Sequence, residues 1–426
     1  MSLLYNIGIH TYAAAARMAA LRSDKISRML AGQKHTLATL GDIRARVAPD
    51  GFDVWIHAAS LGEFEQARPL IERLRRERPE QTILLSFFSP SGFEVRKNYD
   101  KVDAVVYLPF DTPGNVASFL DLARPHMAVF VKYEFWGNYL SQLKKRRIPT
   151  YIISSIFRPG QVFFRWYGSY FRNMLGCFDR IFVQDDNSGQ LLASIGVKHV
   201  TVAGDTRFDR VTDVMKTTVN FPLIERWAAV ANASSTSAIG VIIAGSSWEP
   251  DEDHYIPYLN SHPGLRAIIA PHEFDDARLA RIRERISGKS VLLSQVESSG
   301  SLSDDVQVVI VDSFGKLSSL YRYGDLAIIG GGFGVSIHNI NEAAVYSMPV
   351  VFGPKHQKFK EAADLIACGG GFEYTGAESL ATILDRLSDN TSLTAAGAAA
   401  GKYIHENLGA TDLIYNYIFK NPPSNK

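Results

Sequence analysis

The chain has 426 residues, of which 46% are hydrophobic and 21% are charged, and its formal net charge is +1. This length exceeds what one hydrophobic core usually supports, so two or three domains are expected, and the composition excludes an intrinsically disordered chain. A net charge near zero argues against a dedicated nucleic-acid binder. The 2 cysteines are too few for a disulfide framework or a metal cluster, which favours a reducing cytoplasmic setting.

The N-terminal stretch predicts an amphipathic helix. Its apolar or small side chains recur every three or four residues and define one face, namely Leu4, Ile7, Thr11, Ala14, Met18 and Leu21. Asn6, His10 and Arg17 make the stretch a poor membrane-spanning candidate, and it lacks the basic start and the cleavage site of a signal peptide. Two interpretations stay open. Basic residues follow the stretch as far as Lys34, so the helix could lie on an anionic membrane surface. The same periodicity also fits a first helix packed on the protein.

Short apolar runs then alternate with helical stretches in two series. The runs are 54–58, 82–86, 104–107, 127–131, 150–153 and 180–183 in the first series, and 240–244, 266–270, 306–311, 326–329 and 349–352 in the second. This alternation is typical of βαβ units that build a parallel sheet. The polar stretch 212–237 separates the series and is predicted to be a linker. We expect two Rossmann-like domains that face a cleft, with ligands at the carboxyl ends of the strands.

Turns that follow the first-series strands carry candidate chemistry. After the first strand, Ser60 and Gly62 lead to Glu63 at the start of a helix. Glu63 is either a partner of the helix dipole or a general base that takes a proton from an attacking hydroxyl. Glu134 occupies the matching place after the fourth strand.

Ser89, Ser91 and Gly92 follow the second strand. Small hydroxyl residues at a helix start are typical of an anion-binding nest. We therefore consider them as contacts for an anionic acceptor.

The segment 157–172 interleaves arginines, among them Arg158 and Arg165, with aromatic residues. Guanidinium groups suit phosphates, and amphipathic rings favour a membrane interface. The alternative is that the rings belong to the hydrophobic core.

The stretch 330–342 is the strongest functional signal in the chain. It follows an apolar run that predicts a buried strand and precedes a helix, an order that places backbone N–H groups and a positive dipole end against an anion. Gly331 and Gly332 let the backbone approach a ligand closely. Glu342, one turn into the helix, could accept hydrogen bonds from sugar hydroxyls. The structural alternative is that Asn339 caps the helix and Glu342 completes a capping box.

A set of motifs, taken in chain order, resembles those of one family. The motifs are HAASLGE at 57–63, YEFW at 133–136, GDTRFD at 204–209, GSSWE at 245–249, GGGF at 330–333, HNINE at 338–342 and FGPKHQKFKE at 352–361. The chain is similar in them to the bacterial 3-deoxy-D-manno-octulosonic acid (Kdo) transferases, glycosyltransferase family 30. The similarity runs from the N-terminal helix to about residue 415.

The resemblance implies a GT-B fold and the inverting transfer of Kdo from CMP-Kdo to the lipid A precursor, lipid IVA, in lipopolysaccharide biosynthesis. It implies that Glu63 is the general base, that Glu342 binds the ribose of CMP, and that the N-terminal helix contacts the cytoplasmic face of the inner membrane. No cofactor is implied. No metal is expected either, because Asp185 and Asp186 lack the spacing of an Asp-x-Asp site and are typical of a helix start.

The resemblance and the turns described above together give the binding residues expected for each substrate. The donor CMP-Kdo is expected to contact His272, Gly331, Gly332, Phe333, His338, Asn339 and Glu342. The acceptor is expected to contact Ser60, Gly62, Ser89, Ser91, Gly92, Glu134, Arg158 and Arg165. One departure affects the donor site, since relatives carry an arginine beside the counterpart of His272 and this chain has APHEF at 270–274.

The expected division of the chain follows from these assignments. Residues 1–35 form a membrane-associated helical segment, 36–211 an acceptor-binding domain, 212–237 a linker, 238–405 a CMP-sugar donor domain, and 406–426 a C-terminal helix and tail. Two other readings remain, namely another GT-B nucleotide-sugar enzyme, such as a different transferase or an epimerase, and a non-catalytic nucleotide-sugar-binding module. The oligomeric state and the number of Kdo units added stay open.

Overall fold

The computed structural model describes residues 3–216, 219–234 and 237–420. The chain divides into two compact units, one of residues 1–210 and 408–426 and the other of residues 211–407. Each unit is built around its own parallel sheet.

The first unit contains a seven-stranded sheet in the order β3-β2-β1-β4-β5-β6-β7. Its strands are β1 Val54–His57, β2 Ile83–Phe87, β3 Ala104–Tyr107, β4 Ala128–Val131, β5 Thr150–Ser155, β6 Arg180–Val183 and β7 Val200–Val202. Each neighbouring pair is parallel. The central strands are buried along their whole length, which explains why they occur in the sequence as continuous apolar runs.

The second unit repeats this architecture with the order β10-β11-β9-β8-β12-β13-β14. Its parallel strands are β8 Val241–Ser247, β9 Arg266–Pro271, β10 Ser290–Leu292, β11 Val308–Ile310, β12 Leu326–Ile329, β13 Val350–Phe352 and β14 Gly371–Glu373. The prediction of two Rossmann-like, doubly wound units is thereby confirmed.

Helices cover the sheets and connect their strands. In the first unit they are α1 Leu3–Ala20, α2 Asp24–Val47, α3 Leu61–Glu77, α4 Pro90–Arg96, α5 Pro113–Ala123, α6 Gly137–Lys145, α7 Ser169–Leu175, α8 Asp186–Ser194, the 3-10 turn Val162–Phe164, and the returning segment α19 Ala410–Tyr415 with its π-helical end Asn416–Lys420. Helix α9 Thr206–Lys216 crosses to the second unit, which contains α10 Pro222–Ser234, α11 Glu249–Ser261, α12 Asp276–Arg285, α13 Leu293–Ser299, α14 Leu317–Leu320, the 3-10 turn Tyr321–Tyr323, α15 Asn341–Ala344, α16 Lys360–Cys368, α17 Ala377–Leu387 and α18 Asn390–Glu406.

The segment 212–237, predicted to be a linker, is largely helical. It contains the end of α9 and all of α10, whose Ile224 and Trp227 are buried. The Trp227 indole N–H donates to the Val306 carbonyl at 2.9 Å. The helix was not predicted because polar residues surround its apolar face in the sequence. Residues 217–218 and 235–236 of the predicted linker lie outside the described residues.

The C-terminal segment returns to the first unit. Asp209 accepts hydrogen bonds from the backbone N–H groups of Gly409, at 2.7 Å, and Thr411, at 2.6 Å. Ile414 and Ile418 then pack into the core of that unit. The GDTRFD motif therefore carries a structural anchor. Residues 421–426 of the predicted tail lie outside the described part of the chain.

Helix α1 is attached by one face and presents the predicted apolar face to solvent. Ala13 and Ala16 are buried, and the Tyr5 hydroxyl donates to Asp111 Oδ2 at 2.6 Å. On the other face, Leu4 is 78% exposed, Ile7 53% and Met18 73%. Among the described residues, which exclude Met1 and Ser2, no helix is long and apolar enough to cross a membrane.

Candidate active site

The candidate site in the first unit lies at the point where its strand order reverses. Strands β1 and β4 are neighbours although β2 and β3 lie between them in sequence. Doubly wound sheets bind ligands outside the carboxyl ends of the strands at such a switch point. The turns leaving β1 and β4 carry Glu63 and Glu134, and Lys132 beside them has the rare left-handed φ of 65°. The fold thus joins two turns that the sequence predicted separately.

Glu63 lies in the first turn of α3 and is a carboxylate with unusual electrostatics. One oxygen accepts a hydrogen bond from the Ala59 backbone N–H at 2.6 Å. Burial first, and then the negative charge of Glu134, raise the pKa of Glu63 to about 7, against the opposing effects of His57, the Ala59 N–H and Lys132. A carboxylate with this pKa is present in both forms near neutral pH, as a general base requires.

Glu134 is held as an acceptor by two ring donors. Its Oε2 lies 3.0 Å from His57 Nε2, and it accepts a second hydrogen bond from the Trp136 indole N–H. Both His57 and Glu134 are buried. Glu134 is therefore fixed in position by two donors, and Glu63 is the carboxylate of the pair whose pKa is raised to about 7.

Ser60 and Gly62 border this pair. Ser60 is the N-cap residue of α3, although its side chain makes no capping hydrogen bond. Gly62 is exposed, and a Cβ atom there would meet no heavy atom within 4 Å. Both residues therefore border Glu63 at the start of α3, and their contact with an acceptor stays a prediction.

The small residues after β2 have structural roles. Ser89 caps α4 by accepting from the Ser91 backbone N–H at 3.3 Å, and the two hydroxyl oxygens are 3.0 Å apart. Gly92 is buried, and a Cβ atom at this position would lie 2.2 Å from the Phe87 ring. The predicted ligand contact at Gly92 is thus replaced by packing, because its Cα faces an aromatic ring of the core.

The arginine-rich segment divides into a buried part and an exposed part. Phe163 is buried, whereas Trp166 is 91% exposed and Arg165 beside it is exposed. Arg158 is exposed as well and lies near enough to Tyr133 for its charge to oppose the rise that burial causes in the pKa of that phenol. Of the two arginines, Arg158 is the one placed near the carboxylate pair by a described interaction.

The second unit has its own switch point between β8 and β12. Trp248 follows β8, His272 follows β9 and His338 follows β12, and their rings pack together. The centroids of His272 and His338 are 4.2 Å apart, and those of Trp248 and His272 are 4.8 Å apart. Two of the side chains predicted to bind the donor, those of His272 and His338, therefore meet at the carboxyl edge of this sheet.

His338 is held neutral. Its Nε2 accepts the Trp248 indole N–H at 3.0 Å, so the ring carries its proton on Nδ1. Burial, followed by the proximity of His272, lowers the pKa of His338 to about 4. Near neutral pH the ring is thus an uncharged donor through Nδ1.

The glycine loop corrects one part of the sequence prediction. The backbone N–H of Gly331 was expected to face an anion, but it donates to Asp251 Oδ2 at 2.9 Å. Gly332 packs against Gly353, and the Phe333 ring packs on His254 at 4.5 Å. A carboxylate from α11 thus occupies the position that the loop alone would offer to a phosphate.

Asn339 and Glu342 form a local pair. The Asn339 amide donates to Glu342 Oε1 at 2.9 Å, and its oxygen accepts from the Asn341 N–H at 3.2 Å, but the N-cap residue of the helix is Ile340 and the predicted capping box is not formed. The helix that follows, α15, is only one turn long. Glu342 is also close to Tyr321, because its charge adds to the burial that raises the pKa of that phenol well above 10.

Sequence reasoning did not assign roles to His57, Trp248 and Asp251. Each forms a hydrogen bond to a residue of the candidate site or to the glycine loop. A histidine inside an otherwise apolar strand was a signal for His57. Asp251 gave no such signal, because an acidic residue in the first turn of a helix is common.

Asp185 caps α8 by accepting from Ser188 N at 2.7 Å, which confirms the helix start expected there. Within residues 3–216, 219–234 and 237–420, no group of three or more His, Cys, Asp or Glu side chains could hold a metal ion.

Comparisons of sequence place the chain among known proteins. Residues 13–210 match the family described as 3-deoxy-D-manno-octulosonic-acid transferase (kdotransferase). The 3-deoxy-D-manno-octulosonic acid transferase of Aquifex aeolicus (strain VF5) is 26% identical over 339 residues, which cover 78% of this chain and 85% of the relative. The enzyme of the same name from Bordetella pertussis is 27% identical over 399 residues, covering 88% and 89%.

Comparisons of structure concern the fold alone. UDP-GlcNAc 2-epimerase from Neisseria meningitidis, bound to UDP-GlcNAc, has a TM-score of 0.58 at 14% identity, over 86% of this chain and 100% of that one. A putative UDP-N-acetylglucosamine 2-epimerase from Listeria monocytogenes has a TM-score of 0.54 at 14% identity, over 88% and 98%. Together with the two doubly wound units, this likeness confirms the predicted GT-B fold class.

Proposed function

We propose, from the match of residues 13–210 to the 3-deoxy-D-manno-octulosonic acid transferase family and the similarity to relatives of that name, that the chain transfers Kdo from CMP-Kdo to lipid IVA, with inversion and with Glu63 as the general base. The observation that carries this proposal is the carboxylate pair at the switch point between β1 and β4. One member, Glu134, is fixed by two donors, and the other, Glu63, has a pKa of about 7. Such a pair joins a carboxylate that is fixed in position to one that exchanges protons near neutral pH.

The chemistry of the first unit is a proton transfer coupled to attack. An acceptor hydroxyl oxygen forms a bond to the anomeric carbon of Kdo while Glu63 takes the hydroxyl proton. The bond between that carbon and the CMP phosphate oxygen breaks, and CMP leaves as an anion. General-base assistance of this kind contributes roughly a hundred- to ten-thousand-fold to a rate.

The second unit is assigned to the donor. The Nδ1–H of His338 and the His272 ring packed on it suit the phosphate and the sugar carboxylate. Glu342, positioned by Asn339 at 2.9 Å, suits the ribose hydroxyls. Gly332 and Phe333 provide the loop that lies beside them. Gly331 acts through Asp251, which fixes the loop, and not as an anion donor.

The acceptor is assigned to the first unit. Ser60 and Gly62 border Glu63, and Ser89 and Ser91 lie after the adjacent strand β2. The exposed guanidinium groups of Arg158 and Arg165 suit the phosphates of a lipid A precursor. Glu134 serves the site through the charge that it places beside Glu63.

We assign the exposed face of α1 to the cytoplasmic surface of the inner membrane, with the protein bound peripherally. Leu4, Ile7 and Met18 are largely exposed on a helix whose opposite face is bound to the protein. An apolar stripe followed by basic residues favours an anionic lipid interface. Trp166 is exposed in the segment whose Tyr170 packs on Tyr5 of α1, and it adds an interfacial aromatic residue.

A vesicle assay tests the membrane assignment without removing α1. The triple variant Leu4→Ser, Ile7→Ser and Met18→Ser is expected to lose binding to anionic vesicles while its thermal unfolding is unchanged. The matched control replaces exposed apolar residues of the same unit outside α1, with the changes Val47→Ser, Val202→Ser and Leu413→Ser. Equal vesicle binding by both triple variants would remove this role from α1.

A donor screen tests the reaction. Wild-type protein and Glu63→Gln are incubated with lipid IVA and with CMP-Kdo, UDP-sugars or GDP-sugars, and product is measured by mass spectrometry. Transfer is expected from CMP-Kdo only and is expected to be lost in Glu63→Gln, while CMP binding persists. Turnover of a UDP-sugar would point to another GT-B enzyme. CMP-Kdo binding without any transfer by the wild type would point to a binding module.

A further inference from the structure

A chain of hydrogen bonds runs from the interior of the first sheet to Glu134. The Trp55 indole N–H donates to Ser86 Oγ at 2.8 Å, and His57 Nδ1 lies 2.9 Å from the same oxygen. The other ring nitrogen, His57 Nε2, lies 3.0 Å from Glu134 Oε2. Trp55, Ser86 and His57 are all completely buried. This series of hydrogen bonds connects β1, β2 and the turn after β4.

The direction of each hydrogen bond follows from the chemistry of the groups. An indole can only donate, so Ser86 Oγ accepts from Trp55. An ionised carboxylate can only accept, so His57 Nε2 carries a proton and donates it to Glu134. The Ser86 hydroxyl then donates a hydrogen bond to His57 Nδ1. The Ser86 carbonyl oxygen, 3.1 Å from Nδ1, is the acceptor that a doubly protonated ring would use.

The plane of the His57 ring is fixed as well. The ring lies edge-on to Phe130, with centroids 5.8 Å apart, and to Trp136, with centroids 6.4 Å apart. Trp136 also donates to Glu134, so the same residue confines the imidazole and binds its carboxylate partner. A buried polar group is costly unless it is hydrogen-bonded, and here both ring nitrogens have partners.

We propose that His57 is a positioning residue for the transfer reaction, which holds Glu134 in place by a hydrogen bond and thereby sets the electrostatic field at Glu63. This inference rests on the proposed role of Glu63 as the base. His57 positions Glu134, whose charge raises the pKa of Glu63, and its own proximity to Glu63 opposes that rise.

The pH dependence of the reaction is the property that this role controls. The titratable groups around Glu63 are Glu134, His57 and Lys132, with the Tyr133 phenol beside them. The negative charge of Glu134 raises the pKa of Glu63, and His57, the donor on Glu134, opposes this rise. Removal of the donor therefore raises the pH at which the base becomes available, and removal of the Glu134 charge lowers it.

The test compares kcat/KM for CMP-Kdo across pH 5 to 9 in four variants. His57→Leu removes the N–H donor and is expected to move the acid limb of the profile up by roughly one pH unit, the lower end of the range for a neighbouring charge. His57→Gln keeps an amide N–H at a similar distance and is expected to restore much of the wild-type position. Glu134→Gln is expected to move the limb down. A control, His126→Gln, changes an exposed histidine 3.5 Å from Asp53 and is expected to move nothing.

Two results would overturn the inference. One is a His57→Leu profile that is lower at every pH but has its acid limb unmoved, as a purely structural role predicts. The other is a ¹⁵N NMR spectrum of wild-type protein that places the His57 proton on Nδ1 with Nε2 unprotonated. This second measurement decides the question even when His57→Leu does not fold.

Failure of the inference can be told apart from failure of the proposed function. Glu63→Gln in the same assay reports on the base itself. If Glu63→Gln retains near-normal turnover, the assignment of the base is wrong. If Glu63→Gln is inactive and the acid limb of the pH profile is unmoved in His57→Leu, only the role of His57 is wrong.

Discussion

Replacing Glu63 by glutamine is expected to abolish transfer and yet stabilise the fold in alkaline solution. Burial raises the pKa of Glu63 from 4.5 to about 7. Because the folded state holds this proton more tightly than the unfolded state, the wild type loses free energy of unfolding as pH rises from about 4.5 to 7. At about 1.4 kcal/mol for each pH unit, the loss is roughly 3 kcal/mol once the carboxylate is ionised. Glutamine keeps the size of the side chain and an oxygen for the Ala59 N–H, and it does not ionise.

Urea unfolding at pH 8 and at pH 5 measures this effect. The gain in free energy of unfolding for Glu63→Gln over wild type is expected to be roughly 3 kcal/mol at pH 8 and below roughly 1 kcal/mol at pH 5. Glu65→Gln on the same helix is the matched control, since Glu65 pairs with Arg96 at 3.0 Å near the surface. That change is expected to lower stability at pH 8 by up to about 1 kcal/mol. A gain for Glu63→Gln that is equal at both pH values, or absent at pH 8, would refute the argument from a buried carboxylate.

Four further outcomes are expected. Wild-type kcat/KM should fall roughly tenfold for each pH unit below about 7, as Glu63 is protonated, and a profile flat from pH 7 to 5 would contradict this. Glu342→Ala should weaken CMP binding by roughly 1–3 kcal/mol in calorimetry, whereas unchanged affinity would leave only the contact with Asn339 as its role. Asp209→Ala removes the acceptor of two backbone N–H groups and should lower the free energy of unfolding by roughly 3 kcal/mol, with hydrogen exchange rising first in residues 408–420. Gly331→Ala should reduce donor affinity and the free energy of unfolding by roughly 1–3 kcal/mol, because φ at this residue is 91° and a Cβ atom would lie 2.4 Å from the Ser336 carbonyl oxygen. Donor binding equal to that of the wild type would show that the loop can relax.

The sequence predicted the strands that are buried on both faces and missed short strands at the edges. β1, β4, β8 and β12 occur as continuous apolar runs, because helices cover both sides of a parallel sheet. β7, β10 and β14 lie at sheet edges, are only three residues long and are partly exposed, so their composition carries little signal. The helical nature of 222–234 was missed for a similar reason, since polar residues surround its apolar face.

For the candidate site, the sequence predicted which turns matter but not what each side chain binds. The position of Glu63 after β1 and of Glu342 after the glycine loop follows from the order of strand, turn and helix. The contact of Gly331 with Asp251 could not be predicted. The two residues are 80 positions apart in the sequence, and the pairing of β8 with β12 brings the segments that carry them together. The packing of Gly92 on Phe87 could not be predicted either, because the sequence does not show whether a glycine contacts an aromatic ring of the core or a ligand.

The N-terminal helix shows the same division. Its periodicity determined that it has an apolar face, but both interpretations used that same face. The tertiary structure decided which face binds the protein, through Ala13, Ala16 and the hydrogen bond from Tyr5 to Asp111. Leu4, Ile7 and Met18 were left exposed as a consequence.

By itself the sequence determined the two doubly wound units, the resemblance to one family and the carboxylates at the strand ends, because these depend on local order and on residue type. Only the tertiary structure decided that the pKa of Glu63 is raised to about 7 and that His57 lies 3.0 Å from Glu134 beside it. The two carboxylates are far apart in the chain, and a pKa depends on burial and on the distance between charges. Both quantities arise when β1 and β4 become neighbours in the sheet.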